Sequence, residues 1–229
     1  MSAPHLIQEQ GTLATAPPEA MDFLWSRGWR HFGRDFFRYN LTFSETRELR
    51  HILPLRIVLD DFTPSRSHRR VMRKNTDLKV EIGPAVVDAA REAMFLRHRE
   101  RFTSNIPETL GVFLPEPDPA TVPCECREVR LLENGRLLAV SYLDCGLEAV
   151  SSVYAMFEPE AASRSPGILT LLEEISFARR TGRRFLYPGY ATREPGHYDY
   201  KKTFSGLQTY DWETGDWVPC PRSFPSSES

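Results

Sequence analysis

The sequence predicts an α/β fold with a mixed central sheet and flanking helices, and three observations predict it. The second half orders its elements as hairpin, strand, loop, helix, strand. Asn134-Gly135 stands between two strand-like runs, the preferred corner of a two-residue hairpin. Ile168, Leu171, Leu172, Ile175 and Ala178 then recur at helical spacing directly after a strand and a loop.

The elements follow in order. Met1 to Ala20, with Pro4, Pro17, Pro18 and several small residues, reads as a flexible leader, residues 1–20. It has no basic stretch followed by an apolar one, so it does not read as a secretory signal. Leu53–Asp60 is a strand. Pro64 to Asn75 is an arginine-rich helix starting at Ser65, whose hydroxyl suits the first turn. Asp77–Ile82 is a strand that Gly83-Pro84 is expected to break. From Pro84 to Phe102, Val86, Val87, Ala90, Met94 and Leu96 fall near helical spacing, with Pro84 placed in the first turn. The segment Ser104 to Pro123 holds Pro107, Pro115, Pro117, Pro119 and Pro123, too many for regular structure. It divides a basic lobe, residues 21–103, from a second lobe, residues 124–218, which allows two related lobes.

In the second lobe, Val129–Glu133 and Arg136–Asp144 form the hairpin and Val150–Phe157 a third strand. After Glu158-Pro159 and a loop, Ala161–Gly167, comes the amphipathic helix, with Arg179, Arg180 and Arg183 at the end where the dipole favours cations. Phe185–Tyr187 starts another strand, and Trp212–Trp217 around Thr214-Gly215 reads as a last hairpin. Residues 219–229 close the chain as a flexible Ser/Pro tail.

Composition narrows the function. With 229 residues, 41% hydrophobic and 26% charged, the chain can bury a sizeable core. No run of 18 apolar residues exists, so no membrane helix is expected. Four cysteines, Cys124, Cys126, Cys145 and Cys220, are too few for a disulfide framework and suit a reducing cytoplasm. Cys124-x-Cys126 has no second pair and no histidine at ligand spacing, so no metal is expected. The net charge of −2 is uneven: residues 21–74 carry twelve basic and six acidic side chains, leaving −8 on the rest. Such a block suits a phosphate-bearing partner, or is a solvated basic surface.

Arg164-Ser165-Pro166-Gly167 lies between a strand and a helix start, where free N–H groups and the dipole make an anion site. Arg164 adds a fork for phosphate or carboxylate. The plain alternative is a turn whose Gly167 relieves crowding.

Several motifs in order are more specific. They are Leu147–Phe157 with Glu158-Pro159, Arg164-Ser165-x-Gly167, Leu172–Ala178, Tyr187-x-Gly189-Tyr190 and Tyr200-Lys201-x-x-Phe204. The first half adds Arg27-Gly28-Trp29-Arg30, Pro54-x-Arg56-Ile57, Phe62, Pro64-Ser65-Arg66-Ser67-x-Arg69-Arg70 and Asn75-x-Asp77-Leu78. The chain, from about Phe23 to about Trp217, resembles the arginyl-tRNA–protein transferases and their bacterial leucyl-transferring relatives.

The resemblance implies an acetyltransferase-like (GNAT-type) fold and an aminoacyltransferase. It would move an amino acid from charged tRNA, its co-substrate, to the α-amine of an acidic N-terminal residue of a protein or peptide. No bound cofactor, membrane or DNA enters that reaction, which is aminolysis of an ester and needs no covalent enzyme intermediate. On this reading Tyr154, Tyr190 and Lys201 are catalytic. Arg164, Ser165, Gly167, Ser152, Tyr187 and Tyr200 bind substrate, and Arg30, Arg66, Arg69 and Arg70 contact tRNA. Against these stand plainer readings: Tyr154 and Tyr187 as core aromatics, and Arg66 paired with Asp60 or Asp61.

The chain departs from the family at several points. Thr46, Leu49 and Ile52 stand where the family has cysteines for an iron–sulfur cluster or metal, so no cluster or zinc is expected in this protein unless Cys124 and Cys126 substitute. Pro166 removes an N–H from the anion loop, Pro188 interrupts the usual Leu-Gly-Tyr, Tyr198 replaces a methionine, and Gly206-Leu207 breaks the usual sequel. An acyl-CoA-dependent N-acyltransferase, or a non-catalytic tRNA- or degron-binding descendant, are the alternatives.

Overall fold

The computed structural model describes residues 6–102 and 107–221. The first residues of the leader, the start of the proline-rich segment and the tail from 222 onward lie outside the described residues. The strands and helices in chain order are β1 (Gln8–Thr12), α1 (Pro18–Ser26), β2 (Arg30–Phe32), β3 (Asp35–Tyr39), β4 (Leu41–Phe43), β5 (Leu49–Val58), α2 (Arg66–Lys74), β6 (Lys79–Pro84) and α3 (Ala89–Arg99). Then follow β7 (Cys126–Glu133), β8 (Arg136–Cys145), β9 (Ala149–Phe157), α4 (Pro166–Arg180), β10 (Phe185–Thr192), β11 (Leu207–Tyr210) and β12 (Trp217–Pro219).

The fold is α/β with a mixed central sheet, as the order of elements predicts. That sheet runs β12-β11-β5-β10-β9-β8-β7-β6, with β4 paired to the first part of β5. A separate small sheet, β1-β3-β2, packs beside it. The boundary read at residues 104–123 does not separate two sheets, because β5 from the first half lies between β10 and β11 from the second. Burial explains this: Leu55, Ile57 and Leu59 are sealed against Leu171, Leu172 and Ile175 of α4, in the largest core cluster. Part of the expected leader is also ordered. Gln8–Thr12 forms an antiparallel ladder with Asp35–Tyr39, which satisfies the backbone groups on its inner side although its side chains are exposed.

Other boundaries move for local reasons. The strand expected over Asp77–Ile82 runs through Gly83 and Pro84, which pair with Glu128 and Arg127. Proline is tolerated there because β6 is the sheet's edge. The following helix therefore starts later, at Ala89, where the Asp88 carboxylate accepts from Arg91 N. The loop expected over Ala161–Gly167 is a 3-10 helix, Pro159–Arg164, running into α4 with Pro166 in its first turn. The last hairpin is wider than expected: Asp211–Asp216 is its turn and Gln208–Tyr210 pairs with Trp217–Pro219. Ser65 caps α2 as expected, accepting from His68 N. Among the described residues, no helix is long and apolar enough to cross a membrane.

One parallel pairing among the described residues positions the site. β9 and β10 pair only over Ala149–Ser151 and Phe185–Tyr187, with α4 as their crossover. Beyond those residues the ladder stops, at Pro188, which has no N–H to donate. The strands diverge there, and a side chain from the small sheet enters the gap.

Candidate active site

That side chain is Arg30, carried by β2 and only 9% exposed. Its guanidinium donates to Ser151 Oγ and to the Ser152 carbonyl, a group that the broken ladder leaves free. Ser152 Oγ in turn donates to the carboxylate of Glu174, on α4. Glu174 is 2% exposed, and burial pushes its carboxyl up to about 7, against the pull of the Ser152 hydrogen bond and the nearby cations.

Lys201 comes from the opposite side, on the short helix Asp199–Thr203. Its ammonium donates to Tyr190 O at 3.2 Å and lies 4.4 Å from the ring centroid of Tyr198. Burial, and then the Arg30 charge, bring its pKa down to about 7, with Glu174 acting in the other direction. The two cations meet over Gly189. A Cβ there would fall 3.3 Å from Lys201 Nζ and 3.5 Å from Arg30 Nη2, and the backbone is left-handed at φ +93°. Only glycine leaves this approach open.

Tyr190 donates to Gly28 O at 2.6 Å, linking β10 to the loop before Arg30. Burial raises its hydroxyl pKa well above the ordinary phenol. Next to it a shallow, open cleft is lined by Trp25, Trp29, Arg30, Pro54, Tyr187, Gly189 and Trp217. Tyr187 is a core aromatic in T-shaped contact with Trp217 at 5.5 Å and also lines the cleft. Tyr200 is 36% exposed beside Lys201, and burial of its hydroxyl raises its pKa to about 12.

The other expected site residues separate into groups. Tyr154 is stacked on Phe113 at 4.2 Å in the second core cluster, and among the described residues its buried hydroxyl has no partner. Arg30, expected on the tRNA-contacting surface with Arg66, Arg69 and Arg70, is buried instead, because the gap between β9 and β10 supplies its acceptors. Arg66, Arg69 and Arg70 are exposed on α2. Among the described residues no ion pair joins Arg66 to Asp60 or Asp61.

The expectation for Arg164 is corrected in the same way. Its fork is filled by Asp77 Oδ1 and Oδ2 at 3.0 and 2.9 Å and by Glu133 Oε1 at 2.8 Å. Three carboxylate contacts leave it a clamp between the end of α2 and β7, not a free anion ligand. Ser165 is left-handed at φ 57° and caps α4 through its carbonyl, with no side-chain cap. A Cβ at Gly167 would meet only Phe157, at 3.9 Å, so crowding does not require glycine there.

Sequence reasoning misses Glu174, although its signal is present. Position 174 lies three after Leu171 and four before Ala178, so a carboxylate interrupts the apolar stripe of α4. Where the family places its cysteines, Thr46, Leu49 and Ile52 offer no thiolate or imidazole, so a cluster does not fit that segment and no chemistry is derived through one.

Comparisons with known proteins agree with these motifs. A family model described as "Arginine-tRNA-protein transferase, C terminus" matches residues 85–211. The aspartate/glutamate leucyltransferase of Xylella fastidiosa (strain M23) is 30% identical over 193 residues, covering 77% of this chain and 72% of that one. That of Xanthomonas campestris pv. campestris (strain B100) is 34% identical over 180 residues, covering 71% and 67%. Among solved structures, a fungal GCN5-related glucosamine N-acetyltransferase region overlays with a TM-score of 0.48 at 14% identity, covering 87% of this chain and 23% of that one. With more than half its length matched by the family model and a relative at 34% identity over two thirds of that relative, the chain belongs to the arginine-tRNA-protein transferase family.

Proposed function

We propose that this protein is a tRNA-dependent aminoacyltransferase that adds leucine to the α-amine of an acidic N-terminal residue. The observation that carries the reading is the meeting of Arg30 and Lys201 over Gly189. Two largely buried cations share Glu174, while Asp144 near Arg30 is engaged with His31. A site of this charge is completed by one further carboxylate, which the side chain of an N-terminal Asp or Glu supplies.

The acceptor's α-ammonium then lies towards Ser152. Its proton passes through the Ser152 hydroxyl to Glu174, whose raised pKa suits a base near neutral pH. The freed amine attacks the ester carbonyl of the aminoacyl-tRNA. A second proton moves from the attacking nitrogen to the leaving 3′-oxygen as the carbon–oxygen bond breaks, leaving an amide and an uncharged tRNA. The donor side chain packs against the aromatic surface of Trp25, Trp29, Pro54 and Trp217, which opens to receive it. Its lining is aromatic and apolar apart from the cation of Arg30, which favours leucyl over arginyl. The names of the relatives agree with that choice. Arg66, Arg69 and Arg70, exposed on one helix, are the tRNA-backbone contacts. Four free cysteines suit a cytoplasmic location.

The test is a transfer assay with leucyl- and arginyl-tRNA and peptides beginning in Asp, Glu or Ala. Leucine is expected on the Asp and Glu peptides and not on the Ala peptide. Equal labelling of all three, or of none, overturns the reading.

A further inference from the structure

Beside this site, but outside the proposed chemistry, three metal-binding side chains meet in a sealed space. They are His31 on β2, Cys124 just before β7, and Asp144 near the end of β8, exposed by 3%, 4% and 2%. One donor atom from each lies within 4.8 Å of the others. Donor pairs around a tetrahedral zinc are roughly 3.4–3.7 Å apart, from bond lengths of about 2.0–2.3 Å. Side-chain shifts of about an ångström therefore close the group on an ion.

The histidine's protons point the same way. His31 Nδ1 is 2.9 Å from Gly33 O, and a carbonyl only accepts, so Nδ1 carries a hydrogen. In neutral imidazole, Nε2 then bears a lone pair, and it faces Asp144 Oδ2 at 2.8 Å. Two acceptors facing each other in a buried space need a cation between them, either a proton or a metal ion. A metal-bound histidine commonly has its second nitrogen held by a backbone carbonyl, as His31 does. The Cys124 thiol hydrogen-bonds the same Asp144 carboxylate, and once deprotonated its sulfur is a third ligand for an ion between them.

We propose that His31, Cys124 and Asp144 bind one divalent transition-metal ion, zinc by preference given the nitrogen, sulfur and oxygen donors. The ion displaces the Cys124 thiol proton and leaves one position for water or a fourth ligand. It joins the small sheet to the segment leading into β7 and to the end of β8, immediately beside Arg30. This centre is distinct from the segment holding Thr46, Leu49 and Ile52, and it does not depend on the proposed aminoacyl transfer. Spacing along the chain conceals it: the sequence shows Cys124-x-Cys126 without a second pair, while the fold supplies His31 and Asp144.

The test begins with elemental analysis of the purified full chain, where one equivalent of zinc is expected. Cobalt(II) is then added to protein stripped with a chelator and shown to remain folded by circular dichroism. A thiolate-to-cobalt charge-transfer band is expected, lost in Cys124→Ser and kept in Cys126→Ser. A second variant, His31→Gln, should lower metal affinity at least tenfold without unfolding the chain. Zinc far below one equivalent together with no cobalt band in folded protein overturns the proposal, leaving a buried histidine–aspartate ion pair. A band that survives Cys124→Ser overturns it as well.

Discussion

Arg164 and Asp77, 87 positions apart, join through two parallel hydrogen bonds of 3.0 and 2.9 Å. Each belongs to a motif that resembles the family, one from each half of the chain. Asn75 joins the same contact, its amide donating to Arg164 O at 3.0 Å. The two motifs are therefore the two faces of one joint, which fixes the end of α2 against the start of α4. Asp77 is solvent-exposed, so the ion pair by itself contributes little to stability. Its consequence is positional, because α2 carries Arg66, Arg69 and Arg70.

From this, Arg164→Ala is expected to raise the KM for charged tRNA several-fold, with kcat for a saturating tRNA close to wild type and only a small lowering of Tm. Asp77→Asn, which leaves Glu133 on the same guanidinium, should have a weaker effect of the same kind. If Arg164→Ala instead reduced kcat and left KM alone, the arginine would be acting on the reacting groups and the joint reading would fail.

The exposed arginines of α2 give a separate expectation. Arg66, Arg69 and Arg70 changed together to Ala should weaken tRNA binding about equally for all tRNA species. The slope of log affinity against log salt should become shallower by about 3, one unit for each phosphate no longer neutralised. Fluorescence anisotropy at several salt concentrations reads this directly. An unchanged slope would make the basic segment an ordinary solvated surface.

Much of the sheet was legible in the sequence because hairpins and amphipathic helices are local. Asn134-Gly135 and the stripe from Leu171 to Ala178 specify their elements without distant help. The small β1-β3-β2 sheet was not legible, since its side chains alternate weakly and its ladder is the main reason it forms. The site was legible by residue and not by partner. Lys201, Tyr190 and Ser152 all stand out in the sequence, but nothing local says that Pro188 ends a parallel ladder and lets Arg30 into the gap. Arg164 misleads for the same reason: an arginine before a helix suits an anion, and the three carboxylate contacts that occupy it come from Asp77 and Glu133, far away in sequence. Glu174 was readable as a charge on an apolar stripe, yet only the fold gives it Ser152 and Lys201.

Glu174 and Lys201 give stability an unusual dependence on pH. The Glu174 carboxyl is raised from 4.5 to about 7 in the folded protein, so between those values the native state binds more protons than the unfolded chain. Stability contributed by this group is thus full below about 4.5 and falls as pH rises to 7. Lys201 is lowered from 10.5 to about 7, so from 7 to 10.5 the unfolded chain binds more protons and stability rises with pH. Together the two groups place a minimum near neutrality. Glu174→Gln removes the acidic limb, and the difference between wild type and variant should change between pH 4.5 and 7 by an amount on the order of 3 kcal/mol. Urea unfolding at closely spaced pH values measures this. The alkaline limb should start at lower pH in the variant, because Glu174 is the group that favours the Lys201 charge. Parallel profiles for the two proteins would mean that Glu174 is ionised like a surface carboxylate, and it would then lose its claim as the base that accepts the acceptor's proton.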